Sequence, residues 1–340
     1  MKNRILGAAV LLGALLVPAA PAHAAAGTEA WAPGCTLART ELPLPSGITD
    51  ALIAGTDDHA GFAGYAPAGW SAYSWKNGTV TDHGVPAGAD LVTVADQNSS
   101  GTFVGQGLKR TTGLPYTRAI SSYIVRGGAM TQLPWLANHD RTYVSAISAN
   151  GDAFGVASRS GGHTSVRWPA ANPTQVTPVP GVPADWRTLL DASDDGRTLL
   201  FHEGIWRDGK ATPLPTLDGL DWSPHSMSNG RVVGAGLYGA NDKQVAVLMD
   251  QNGSVRILPN TAADTNNSEY LINSSGLIVG STVGQGGGKE QYGMQVWKLG
   301  TYIGTFGTPL DVAQALGDDG TVGGYHDGYN YGTPSAWTCS

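Results

Sequence analysis

Past residue 34 the hydrophobic positions fall in short runs that alternate apolar with polar or small residues, the pattern of half-buried strands rather than helices. The runs recur in a fixed order. A first apolar run leads into a turn of Asn, Asp or Ser followed by Gly, at Gly61, Gly101, Gly151, Gly196, Gly230, Gly276 and Gly320. A second run of the Val-Val-Gly type follows, as in Arg231-Val232-Val233-Gly234 and Leu277-Ile278-Val279-Gly280. After a variable loop a third run ends on Trp75, Tyr123, Trp168, Trp206, Met249, Trp297 or Trp337. Turns such as Lys76-Asn77-Gly78 and Arg207-Asp208-Gly209 then suit tight hairpins. A fourth run closes at Val85-Pro86, Leu133-Pro134, Val179-Pro180, Leu214-Pro215 and Leu258-Pro259, whereas the sixth copy reads Thr301-Tyr302-Ile303-Gly304.

The copies repeat roughly every 40 residues, the period of a four-stranded propeller blade. The pattern predicts an all-β, seven-bladed β-propeller over residues 35–340 and no large helix. The seventh copy has its first run near Asp311 to Leu316, its turn at Asp318-Asp319-Gly320 and its third run at Ser335-Ala336-Trp337, and then stops. The missing fourth run, ending in Leu-Pro, stands near the other terminus at Thr36 to Pro45. In a ring it pairs with the Trp337 strand, completes the last blade and brings Cys35 beside Cys339. Position and an oxidising compartment favour a disulfide; two unrelated free thiols are the alternative.

The compartment is read from residues 1–24. Lys2 and Arg4 precede an uncharged apolar run, Ile5 to Val17, and Ala22-His23-Ala24 has the small-x-small form of a signal-peptidase site. The run is short of the roughly 20 residues a spanning helix needs. Residues 25–34 then read as a short tail before a secreted propeller that does not insert into the membrane once the leader is gone. Composition agrees: 48 Gly and 20 Pro supply turns, while 41% hydrophobic residues are too many for a disordered chain. A net charge of −7 with no basic stripe argues against nucleic acid and against an anionic membrane surface.

The unit resembles the HAF repeats of bacterial extracellular proteins, in which Ala-x-x-Ile-Asn-x-x-Gly-x-Val-Val-Gly precedes an apolar-Trp segment and Asn-Gly. Ser145-Ala146-Ile147-Ser148-Ala149-Asn150-Gly151 and Leu271-Ile272-Asn273-Ser274-Ser275-Gly276-Leu277-Ile278-Val279-Gly280 carry the likeness, with Tyr73-Ser74-Trp75-Lys76-Asn77-Gly78 matching the second half. Tyr123 and Met249 depart from it, and the fourth copy is short. The resemblance implies an extracellular propeller-like fold and brings no catalytic residues.

Motifs for chemistry are scarce. There is no His-Glu-x-x-His, no Gly-x-Ser-x-Gly, no Cys-rich metal set and no cofactor signature. Gly284 to Glu290 has the look of a phosphate loop but Glu290 stands where a hydroxyl is needed, so it reads as a plain loop. Asp194-Asp195-Gly196 and Asp318-Asp319-Gly320 lack the spaced oxygens of an EF-hand and read as repeat turns. The scattered histidines, His163, His202, His225 and His326 among them, read as locally bonded residues.

Two features stand out. An acidic residue precedes the first run of most copies: Asp50, Asp90, Asp140, Asp185, Asp221 and Asp311, with Glu269 a looser counterpart. Such carboxylates would ring one channel mouth and favour a cation, a basic group or sugar hydroxyls; the plainer reading is that Asp turns the chain and bonds local amides. Trp135, Trp186 and Trp222 lie between blades, and Trp70, Tyr116, Tyr238, Tyr325, Tyr329 and Tyr331 in loops expected on the same face. They suit sugar stacking or a protein anchor, or equally packing between blades. The candidate binding set is therefore Trp135, Trp186, Trp222, Asp140, Asp185 and Asp221. The first function expected is a monomeric, non-catalytic binding module for an extracellular glycan or protein, with no metal or cofactor. The alternatives are an extracellular hydrolase or lyase with carboxylates at the channel mouth, and a structural envelope-associated protein.

Overall fold

The computed structural model describes residues 31–67, 71–110, 117–217, 220–238, 243–259, 269–281, 293–308, 310–326 and 332–339. Among them every regular element is a strand, and the strands form seven four-stranded antiparallel sheets. The first strands of blades 1 to 7 are Leu52–Thr56, Leu91–Gln97, Arg141–Ile147, Leu189–Ala192, Leu220–Ser228, Tyr270–Ile272 and Asp311–Leu316. Each packs against the first strand of the next blade, and that of blade 7 packs against that of blade 1. They form the inner wall of a closed ring. The protein is a seven-bladed β-propeller.

Blade 7 draws on both ends of the chain. Its sheet runs Asp311–Leu316, Val322–His326, Thr333–Cys339 and then Leu37–Glu41. Leu37 pairs with Cys339 and Arg39 with Trp337, and the Leu42 amide donates to the Pro334 carbonyl at 2.8 Å. Cys35 and Cys339 form a disulfide with their Cα atoms 5.6 Å apart, across 304 residues of chain. The closure expected from the incomplete seventh repeat is the one observed.

The third-strand aromatic and the closing proline prove to be two halves of one contact. The indole N–H of Trp75 donates to the Pro43 carbonyl at 2.8 Å, Trp168 to Pro134 at 2.9 Å, Trp206 to Pro180 at 2.9 Å and Trp297 to Pro259 at 2.8 Å. Each proline closes the preceding blade, so the large apolar ring fills the junction while its one polar atom is satisfied across it. Trp75, Trp168 and Trp297 are at most 1% exposed.

The junctions lacking this pair use substitutes. In blade 2 the Tyr123 hydroxyl donates to Thr93 of its own first strand at 3.0 Å. In blade 5 Met249 replaces the indole, and Trp222 of the first strand donates to the Pro215 carbonyl at 3.0 Å. Among the described residues blade 6 has no closing proline, and there Trp31 enters from the N-terminal tail. It is 4% exposed, lies edge-on to Phe306 with ring centres 5.1 Å apart, and donates to the Gly320 carbonyl at 2.7 Å. The tail therefore contributes to the core. Among the described residues no helix is long and apolar enough to cross a membrane; residues 1–24, expected from the sequence to be a leader, lie outside them, as does the segment Gly284 to Glu290.

Candidate functional site at the mouth of the channel

A β-bulge interrupts the first strand of most blades just before its end. The register shifts between Ile53 and Gly55, Val94 and Asp96, Val144 and Ala146, Leu189 and Asp191, Pro224 and Ser226, and Ala313 and Ala315. A bulge sets two residues against one on the partner strand, breaking strict in-out alternation. Two successive residues of the strand then reach the channel: Ala95 and Asp96, Leu190 and Asp191, His225 and Ser226, Gln314 and Ala315. The residue after the bulge also ties its blade to the next. Asp96 Oδ2 accepts the Ile147 amide at 2.8 Å, Asp191 Oδ2 the Met227 amide at 2.7 Å, and Ser226 Oγ the Ile272 amide at 3.2 Å.

The turn after each first strand narrows the same end of the channel. Asn98 accepts the Thr102 amide at 3.1 Å through Oδ1 and donates to the Ser148 carbonyl of blade 3 at 2.9 Å; Asn273 repeats both bonds, to Leu277 and to Gly317 of blade 7, at 3.0 Å each. The next turn position faces the mouth and holds Asp58, Asp194 and Asp318 in blades 1, 4 and 7. Gly196 and Gly320 follow at φ 66° and 84°, a left-handed conformation that glycine adopts without strain. These are the expected repeat turns, and they also carry carboxylates to the rim.

The result is a cavity of about 230 Å³ whose wall contains Asp58, Asp96, Asp191, Asp194 and Asp318 and, among the described residues, neither Lys nor Arg. Burial pushes Asp58 up to about 7, with the charges of Asp318 and Asp194 adding to the effect. Burial likewise raises Asp191 to about 7, against the pull of the Met227 and Ala192 amides. Asp96 is pushed well above the usual carboxylate range by burial and then by the charge of Asp191. Burial, helped by His202, lowers His225 to about 4, so it is uncharged near neutrality. Its Nδ1 accepts the Tyr270 amide at 3.1 Å and its ring stacks on Tyr270 at 5.8 Å. Two further wall groups, Oε1 of Gln97 and of Gln314, are buried with no hydrogen-bond partner among the described residues, and Gln97 is only 8% exposed. No group of three His, Cys, Asp or Glu able to hold a metal occurs among the described residues.

The residues singled out from sequence lie elsewhere. Asp50, Asp90, Asp140, Asp185, Asp221, Glu269 and Asp311 precede or open the first strands, at the opposite end of the channel, and none lines this cavity. Asp90 pairs with Lys109 at 3.1 Å and accepts the Arg110 amide at 2.9 Å. Asp311 is buried against His326 at 2.6 Å. Asp140, Asp185 and Asp221 are exposed, and among the described residues no hydrogen bond or ion pair joins two acids of this set. Trp186 is 6% exposed and packs on Phe201 in the core between blades 3 and 4. Trp222 is half-buried and bonded to Pro215, and Trp135 is half-buried with its indole N–H unpartnered. Tyr325 is buried, while Trp70, Tyr116, Tyr329 and Tyr331 lie outside the described residues. Tyr238 ends a second strand opposite Leu220.

No family model matches the chain, and no curated protein matches it. Among solved structures it is similar to a streptogramin B lyase, with a TM-score of 0.55 and 14% identity over 92% of this chain and 100% of the other. It is similar to virginiamycin B lyase from Staphylococcus aureus, with a TM-score of 0.56 and 11% identity over 89% of this chain and 99% of the other. A third likeness is to the β-propeller domain of the Trilobed protease from Pyrococcus furiosus, with a TM-score of 0.51 and 10% identity over 85% and 95% of the two chains. At such identities the likeness shows the propeller fold and nothing finer.

Proposed function

We propose that this protein is a secreted, non-catalytic binding module whose channel mouth takes a basic side chain, lysine or arginine, of an extracellular protein. The observation that carries the reading is the wall of five aspartates with no basic residue among the described ones. Burial raises three of those carboxyls in pKa, so a cation entering among them would favour their ionised forms. A guanidinium or ammonium is such a cation, and the unpartnered Gln97 and Gln314 oxygens accept its N–H groups. A cavity of about 230 Å³ admits one long side chain; it is small for the 300–1,000 Å³ typical of ligand pockets, which disfavours an oligosaccharide. The sealed blade 7, the disulfide and the likeness to HAF-repeat proteins support an extracellular setting.

A second reading, a hydrolase or lyase, draws on Asp58 and Asp191, whose values near 7 suit general acid–base work. Calorimetric titration with N-acetyl-arginine amide, N-acetyl-lysine amide and the neutral N-acetyl-citrulline amide decides between them. Binding of the two cations alone, weakened at high salt and in Asp191→Asn, supports the module. Absence of cation binding removes it, and turnover of any ester or glycoside that is lost in Asp191→Asn replaces it with the enzyme.

A further inference from the structure

Blades 4 and 5 meet differently from most of their neighbours. At the junction of blades 3 and 4, the Trp206 indole fills the space beneath Pro180 and is 8% exposed. That junction is shut: a Cβ placed on Gly181, next to Pro180, would come within 2.2 Å of the Gly209 carbonyl. One junction on, the corresponding residues are Met249, Pro215 and Gly253, and they line an open groove of about 670 Å³. Met249 is shorter than an indole and leaves the space unfilled. The Pro215 carbonyl, which would have bonded that indole, is served instead by Trp222.

The floor of the groove is apolar, made by Ile205, Pro213, Met227 and Met249. Thioethers adapt their shape and contact aromatic edges favourably. The rim carries Arg207 and Lys210. Asp208 also stands there, but it is ion-paired with Arg197 at 2.7 Å. The accessible charge at the rim is therefore positive, on a chain whose net charge is −7. Its volume falls within the range of small-molecule sites.

We infer that the groove between blades 4 and 5 is a binding socket for a small planar aromatic carboxylate, its ring lying on Met249 where the other blades place their own indole and its carboxylate meeting Arg207 and Lys210. The size of the ring is set by the repeat itself, which fits a bicyclic aromatic into this position at Trp75, Trp168, Trp206 and Trp297. The sign of the charge is set by the rim. The socket shares only Met227 with the channel wall, and its test does not depend on the channel's proposed role.

The test uses the mature protein with methyl-labelled methionine, indole-3-acetate as the probe and neutral indole as its control. Indole-3-acetate should shift the Met249 and Met227 methyl signals saturably, leave Met130 unmoved, and bind at least 5-fold more tightly than indole. Met249→Trp, which restores the residue used by five of the other six blades, should abolish the binding while the protein keeps its thermal midpoint or gains in it. Lys210→Glu, an exposed change with little bearing on folding, should weaken the acetate at least 5-fold and leave indole unchanged. The inference is overturned if the Met249 methyl does not respond at millimolar probe, or if Met249→Trp binds as the unaltered protein does. Equal affinity for indole and indole-3-acetate overturns the assignment of a carboxylate.

Discussion

The carboxylate of Asp96 in blade 2 accepts the backbone amide of Ile147 in blade 3 at 2.8 Å, and the same carboxylate forms part of the channel wall. One side chain thus holds two blades together and carries the charge that faces a ligand. Asp191 does the same for blades 4 and 5 through Met227. Where Ser226 occupies the position it keeps the bond to Ile272 without the charge. Gly55, Ala146 and Ala315 have no side chain able to make it. The acidity of the channel is therefore not required to hold the ring together.

This separation makes stability depend on pH in a definite direction. Asp191 titrates near 7 in the folded protein and near 3.8 when exposed. Between those values the folded state holds a proton that the unfolded chain has released, so stability falls as pH rises through the window, with the full loss reached above pH 7. A shift of about three pH units corresponds to at most about 4 kcal/mol, and water in the channel reduces this to about 1–3 kcal/mol. Asp191→Asn removes the ionisation but leaves one acceptor oxygen for the two amides, of Met227 and Ala192, that the carboxylate serves, a cost that does not vary with pH. Guanidinium unfolding should find the variant gaining on the parent by that amount between pH 4 and pH 8. Parallel curves for the two proteins would sink the assignment.

The indole–proline contact can be weighed by its polar and apolar parts. Trp168→Phe keeps a ring in the junction but leaves the Pro134 carbonyl without its donor, and should cost about 1–3 kcal/mol. Trp168→Ala also empties the space and should cost about 3–5 kcal/mol. Trp31, which lies outside the repeat, should behave like a core residue, with Trp31→Ala losing a similar 3–5 kcal/mol. Denaturant midpoints for the three variants check this; a loss below about 1 kcal/mol for Trp31→Ala would mean that the tail is dispensable.

Much of this architecture is legible in the sequence because a propeller repeats its instructions. The turn glycines, the Leu-Pro closings and the third-strand aromatics recur, so the blade count and the closure from Thr36 to Pro45 follow from spacing. What was not legible has a physical cause. Strict alternation treats Ala95 and Asp96 as facing opposite sides, and only the bulge turns both to the channel. The one hint was positional: Asp96 and Asp191 stand at the same offset before Gly101 and Gly196. Trp31 left no signal, because its partner Gly320 is 289 residues away. The candidate set built on Trp186 and Asp185 drew on exposure, and a sequence does not say that Trp186 folds inward onto Phe201.

Cys35 and Cys339 close a loop of 304 residues, for which chain entropy gives a stabilisation of roughly 5 kcal/mol as an upper value. The closure does not depend on the sulfurs alone. Leu37–Glu41 remains paired along its length with Thr333–Cys339, and Trp75 remains bonded to Pro43 beyond it. The double variant Cys35→Ser, Cys339→Ser should therefore keep the native near-ultraviolet circular dichroism while its denaturant midpoint falls. A variant that loses native signal without denaturant would show that the strand pairing is too weak to seal the ring.

Cation capture at the channel mouth should follow the ionisation of its wall. Asp58 and Asp191 titrate near 7, so at pH 6 most of their charge is masked by protons and at pH 8 most of it is available. A bound guanidinium favours the ionised forms, lowers both values and releases protons as it enters. Affinity for N-acetyl-arginine amide should rise about 10-fold or more between pH 6 and pH 8. His225, already neutral at both values, does not contribute to the change. In Asp191→Asn the rise should shrink, and in Asp58→Asn combined with Asp191→Asn it should shrink further, leaving only what Asp96 supplies. The proton release is a separate check, because titrations in buffers of different ionisation heat reveal it directly near pH 7. An affinity flat across this range would show that the basic group does not sit among these carboxylates.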